Sequence, residues 1–175
     1  MESIMLMYHP AQDINHCVFR LLLILEHTEH EHIDVSVYRL IDFYFLFPHL
    51  VNLLKPLPVP VKKHKKEFAE IPEPYESLKN TKRILHELET LQSTAIQSLL
   101  AKHLLDIKEF ELGWLKRTNS AIAPKIQKAL IESDYNEKGW FKALINEFPK
   151  AKFDGKTGLK ARTGLMEYRY DVETK

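Results

Sequence analysis

Six of the nine histidines fall in the first 49 residues, at His9, His16, His27, His30, His32 and His49, and two groupings have chemistry within reach. His27, His30 and His32 alternate with Glu29 and Glu31, donor types that suit zinc. The HxxHxH run lies between two expected helices, however, and lacks the i, i+4 spacing that fixes a helical metal site, so a solvated, charge-rich turn accounts for it better. Tyr8, His9, Pro10, Asp13 and His16 bring a phenol, two imidazoles and a carboxylate to the start of the first expected helix, a combination found in acid–base sites. Asp13 as a helix cap and His16 as a hydrogen-bonded neighbour explain the same residues without catalysis.

The segment Asp154 to Gly158, DGKTG, carries the GKT that ends a phosphate-binding loop, but Lys150 stands where that loop needs its first glycine. No nucleophile elbow, HExxH, paired-cysteine or dinucleotide pattern occurs. The expectation is a protein without catalytic residues, cofactor or metal. The single cysteine, Cys17, cannot form an internal disulfide and sits in an apolar run, which fits a buried thiol in a reducing cytosol.

Charge is organised by segment. The whole chain is at +1, yet residues 1–50 hold two bases and seven acids, and residues 51–66 hold five lysines and no acid. Lys62, Lys63, Lys65 and Lys66 form one candidate DNA-contacting run, and Lys156, Lys160 and Arg162 in the basic C-terminal segment form a second, since local basic patches bind phosphates by counterion release. Solvated loops explain both runs equally well.

The elements that must position these residues follow from periodicity. Ile14, Val18, Leu21, Leu22 and Leu25 repeat as one helical face after Asp13. Asp34 caps a second helix that runs to Pro48 and is unusually aromatic, with Phe43, Tyr44, Phe45 and Phe47, so part of its surface is expected to stay exposed for a partner, the alternative being that the helix is the centre of the core, shielded by the proline-rich segment and the C-terminal helices. Five prolines between Leu54 and Tyr75 make a strap at about 55–75, either crossing one core or separating an N-terminal helical half from a C-terminal half. Beyond it, Ile84, Leu85, Leu88 and Leu91 predict one helix, and Ser93 or Thr94 caps another from Ala95. Alternation predicts strands at Phe110 to Lys116 and Leu165 to Val172, paired antiparallel. Helices are expected at about Ser120 to Ile131 and Lys138 to Phe148.

The expected fold is therefore mostly α (α+β), a winged-helix-like helical domain with a small antiparallel sheet. At 175 residues, 45% hydrophobic and 28% charged, one compact domain is the expectation. The apolar stretch Val18 to Leu25, broken by Arg20, is far short of the roughly 20 residues that span a bilayer, and the acidic start does not read as a secretion signal.

The segments MYHPAQDINHCVFRLLLIL, YRLIDFYFLFPHL and GLKARTGLMEYRYDV resemble the middle component of bacterial three-component ABC-ATPase systems, the group that includes Lamassu-type antiviral defence. The resemblance implies a small non-enzymatic subunit of winged-helix character that joins an SMC-like or Rad50-like ABC ATPase to an effector, often a nuclease, and the reducing cytosol read from Cys17 makes the expected compartment cytoplasmic. It carries no catalytic residues. Tyr8, His9, Pro10, Asp13, His16, Asp42, Phe43, Tyr44 and Pro48 match the recurring motif and are read as structural or interface positions. The competing reading is a free-standing winged-helix transcription regulator with the Ala95 to Leu105 helix in the major groove. That helix offers Gln97, Ser98, Lys102 and His103 but no arginine or asparagine for bidentate base contacts.

Overall fold

Asp13 opens the first described element by accepting the Asn15 amide at 2.8 Å, and α1 covers Ile14–His27. The structure is a computed structural model that describes residues 13–167. Tyr8, His9 and Pro10, and the part of the expected C-terminal strand from residue 168 onward, lie outside the described residues. Ile33–Asp34 form a short strand, β1, and Asp34 then caps α2, Val35–Leu46, by accepting from Ser36 and Val37. Both helices start at the aspartates predicted to cap them.

The aromatic helix is not an exposed face. Tyr38, Leu40, Ile41 and Phe43 have no exposed surface, Tyr44 and Phe45 are buried, and only Val35 and Leu46 of its apolar residues are partly exposed. α2 packs against both α4 and α7, and Phe45 lies among Tyr135, Trp140 and Phe141 with ring centroids 4.6, 6.1 and 5.4 Å away. The expectation of a partner-ready surface on α2 is therefore corrected. One neighbouring helix would leave this apolar area in water, but α4 and the aromatic group around α7 close over it together.

The proline-rich segment forms 3₁₀ turns at Pro48–Leu53 and Val59–His64 and a short α3, Lys65–Ala69. Val61 and Phe68 enter the same core cluster as α1 and α2. Next comes α4, Thr81–Ala101, one unbroken helix where two were expected. The hydroxyls that were to cap a second helix are spent otherwise: Ser93 accepts from Arg39 Nη2 at 3.0 Å, and Thr94 donates to the Thr90 carbonyl at 3.0 Å. The supposed recognition helix is the C-terminal part of α4, whose Ala95, Ile96 and Leu99 are buried.

The predicted Phe110 to Lys116 strand is also corrected. Asp106 accepts from Lys108 and Glu109 and starts α5, Ile107–Glu111. Gly113, at φ +89°, then turns the chain into β2, Trp114–Leu115. β2 pairs antiparallel with β1, Ile33 opposite Leu115 and Asp34 opposite Trp114, and the described part of the expected C-terminal strand, Leu165–Glu167, is a 3₁₀ turn. The alternating pattern was in part the face of a capped helical turn. α6 (Pro124–Ile131), α7 (Gly139–Glu147) and α8 (Leu159–Thr163) complete a mostly α fold with one two-stranded antiparallel sheet. No helix among the described residues is long and apolar enough to cross a membrane.

Candidate functional site

The motif residues of α1 and α2 meet in the interior. Arg20 and Asp42, both fully buried, form a two-pronged ion pair, Nε to Oδ1 at 2.6 Å and Nη2 to Oδ2 at 3.0 Å. Gln92 of α4 donates to Asp42 Oδ2 at 3.0 Å and to the Arg39 carbonyl at 3.2 Å. Arg39 answers with bonds to Gln92 Oε1, the Glu89 carbonyl and Ser93. His16 Nδ1 accepts from Arg20 Nη1 at 2.6 Å, which fixes it as a neutral ring. Burial first, and the Arg20 charge second, push its pKa below 6.5 against the pull of Asp13 and Asp42.

This arrangement does not resemble a catalytic centre. Within the Arg20–Asp42 pair each charge is matched and each prong is used, so the pair positions α1, α2 and α4 against one another. Cys17 beside it is buried, and burial pushes its thiol up to about 12, which leaves no thiolate to act as nucleophile. Asp42, Phe43 and Tyr44 lie inside the molecule, and Pro48 begins the 3₁₀ turn that ends α2.

The histidine run disperses. His27 donates to the Leu23 carbonyl, His30 donates to the Asn146 carbonyl, and His32 stacks on Trp114 at 4.2 Å with Glu109 at 3.4 Å. No group of three or more histidine, cysteine, aspartate or glutamate residues among the described residues is arranged to hold a metal ion.

The basic segments do converge. Glu147, at the end of α7, has a side chain only 7% exposed and accepts from Lys63 Nζ at 3.0 Å and from Lys150 Nζ at 3.3 and 3.4 Å, with His64 Nε2 at 3.5 Å. One carboxylate thus ties the Val59–His64 turn to the Phe148–Lys150 turn. Burial would raise its pKa, but the hydrogen bonds from Lys63 and Lys150 outweigh that and hold it below 4.5. Beside this knot lies a cleft of about 330 Å³ whose walls include Pro58, Pro60, Lys150, Lys152, Thr157 and Arg162. Arg162 donates to the carbonyls of Thr157 and Pro56, fastening the C-terminal segment to the strap.

Lys62 and Lys65 are exposed on the same turn and on α3, and Lys66 faces Glu70 at 4.0 Å. Lys156 is exposed on the loop before α8 and Lys160 lies within α8; neither lines the cleft. That loop is tightly closed. Leu159 and Lys160 amides bond back to Lys152 and Phe153 carbonyls, and a Cβ on Gly158 would stand 2.2 Å from the Phe153 oxygen, so glycine is required there.

Sequence reasoning named Lys150 as the residue that breaks the phosphate-loop pattern, otherwise counted Lys150 and Lys152 only within the charge of the basic C-terminal segment, and passed over Glu147. A carboxylate in the last turn of a helix opposes the macrodipole. That misfit was the available signal.

No curated protein and no solved structure matches the chain. A family model does: ABC-three component (ABC-3C) system Middle Component 5 matches residues 6–171. The match takes in the Arg20–Asp42 network, the strap and the C-terminal basic loop alike, and the chain belongs to the middle component 5 family of ABC-three component systems.

Proposed function

We propose that this chain is a non-catalytic adaptor subunit of an antiphage defence complex of the Lamassu kind, linking an SMC-like or Rad50-like ABC ATPase to an effector, a nuclease in the simplest case. The observation that carries the reading is the family match over residues 6–171, which leaves almost none of the chain for a separate activity. A composition without a recognisable nucleophile, phosphate loop or metal box agrees with it. The cytoplasm is the compartment this reading requires, because ATPase and effector must meet there.

DNA contact within the complex is the second part of the proposal. It is supported by the exposed lysines of residues 62–66, which Glu147 ties through Lys63 to Lys150, and by the cleft that Lys150, Lys152 and Arg162 line. Interfaces with the protein partners fall outside α2, on surfaces such as α5 and α6, where Ile107, Leu112, Ile126 and Ile131 are exposed.

Tagged chain expressed in its native host should bring down an ABC ATPase and an effector. Recovery of the chain alone, monodisperse and without either partner, defeats the adaptor reading. For the DNA part, replacing Lys62, Lys63, Lys65 and Lys66 with Glu in the assembled complex should weaken binding and reduce its salt slope, by roughly one for each phosphate no longer neutralised. An unchanged slope assigns the run to a solvated loop.

A further inference from the structure

On the other side of residues 149–153 from the basic cleft lies a second cleft, of about 370 Å³, whose walls include His30, His32, Asp34, Trp114, Phe153 and Asp154. This volume lies within the range of small-ligand sites. The two clefts share Ala151, the extended residue that follows the Phe148–Lys150 turn. Pro149, Ala151 and Phe153 line the aromatic cleft, while Lys150, Ala151 and Lys152 line the basic one. The indole of Trp114 is backed by His32 at an interplanar angle of 22°, and β2 pairing holds its backbone.

We infer that this surface binds single-stranded nucleic acid, taking one unstacked base into the Trp114–Phe153 cleft while the adjoining phosphates lie across Lys150, Lys152 and Arg162. The inference rests on the DNA-contact part of the proposed function and specifies its substrate. Aromatic platforms beside a basic track are what sequence-tolerant single-strand binding uses, since each base has a stacking face and each nucleotide a phosphate.

The charges sort base from phosphate. Asp34 and Asp154 repel a phosphate from the aromatic cleft. Asp34 Oδ1 is taken by the Ser36 and Val37 amides, so Oδ2 remains to accept a base N–H. A duplex keeps its bases stacked and can use only the basic track.

The test uses the full chain carrying Trp140→Phe, which leaves Trp114 as the only indole. A short mixed-sequence single strand should bind more tightly than the matching duplex and quench Trp114 fluorescence. Phe153→Ala should weaken single-strand binding about tenfold, the scale of one base stack, and leave duplex binding unchanged. Phe153→Leu, which keeps the apolar volume, should show the same weakening and so separates stacking from folding. Lys150→Glu with Lys152→Glu should weaken both ligands.

Equal binding of single strand and duplex with Trp114 unquenched overturns the base cleft and leaves the basic-surface reading standing. Binding of neither nucleic acid overturns both. Quenching by a lysine-rich peptide and not by the single strand overturns the inference in favour of a protein ligand.

Discussion

Arg20 and Asp42 cannot be changed one at a time without leaving a charge in the core. Asp42→Ala should cost about 3–5 kcal/mol, the scale for an orphaned buried partner, whereas Arg20→Met with Asp42→Leu should recover most of it. Urea unfolding of the two variants checks the difference. Tyr38 presents the opposite case. Its buried hydroxyl has only the weakly bonding Cys17 thiol beside it and no other hydrogen-bond partner among the described residues, so Tyr38→Phe should be neutral or stabilising by up to about 1 kcal/mol. His16 gives the network a pH dependence. Above 6.5 the ring is neutral folded or unfolded. Below 6.5 the unfolded chain takes up a proton that the native state refuses until its lowered pKa is reached, so stability falls as pH drops through that window. A His16→Gln variant should show a flatter profile in thermal melts recorded across it. The sequence made Asp13 and His16 legible as helix-entry residues. It did not disclose that Asp42, Gln92 and Arg39 would meet around Arg20, because their contacts span 22 to 53 positions and no periodicity records them.

Helix starts were readable because capping is local. Asp13 and Asp34 act within three residues, and Asp34→Ala should cost about 1 kcal/mol in a denaturation experiment. Ser93 and Thr94 misled for the same reason: a hydroxyl inside a helix has other acceptors and donors to choose from, and only the tertiary arrangement shows which it takes. The true end of α4 is a left-handed residue, His103 at φ +56°, followed by the Leu104 amide bonding back to the Leu99 carbonyl at 2.9 Å. His103→Gly removes a Cβ penalty and should stabilise the fold by about 0.5–1 kcal/mol, read as a raised melting temperature. Two-residue strands leave almost no alternation to detect, which is why β1 was hidden inside a polar histidine run. Ile33, fully buried between polar neighbours, was its single trace.

At the scale of the molecule, Glu147 decides which surfaces exist. Without it, Lys63 and Lys150 have no common acceptor, and the strap and C-terminal loop lose their shared anchor. Its lowered pKa contributes stability that is present above 4.5 and lost as pH falls below it. Because Lys63 is largely exposed and remains hydrated when the pair breaks, Glu147→Gln should cost only about 1 kcal/mol at neutral pH and reduce the acid sensitivity of unfolding. The mostly helical class was legible from periodicity, and of the sheet only Trp114–Leu115 fell within an expected strand. The burial of α2 was legible only as one of two alternatives, since its aromatic rings read the same whether they face a partner or the distant Tyr135, Trp140 and Phe141 of the same chain.

The lone thiol gives the chain a built-in clock. Cys17 has no exposed surface and its proton is held up to about 12, so an alkylating reagent can trap it only in molecules whose α1 has swung away from its neighbours. The trapping rate at neutral pH then measures how often the core opens. Any partner that grips the closed form slows that rate by the factor 1 + [L]/Kd, wherever on the surface it binds. The proposed ATPase, effector and nucleic-acid partners can thus be tested and ranked on one scale by mass spectrometry of a single residue.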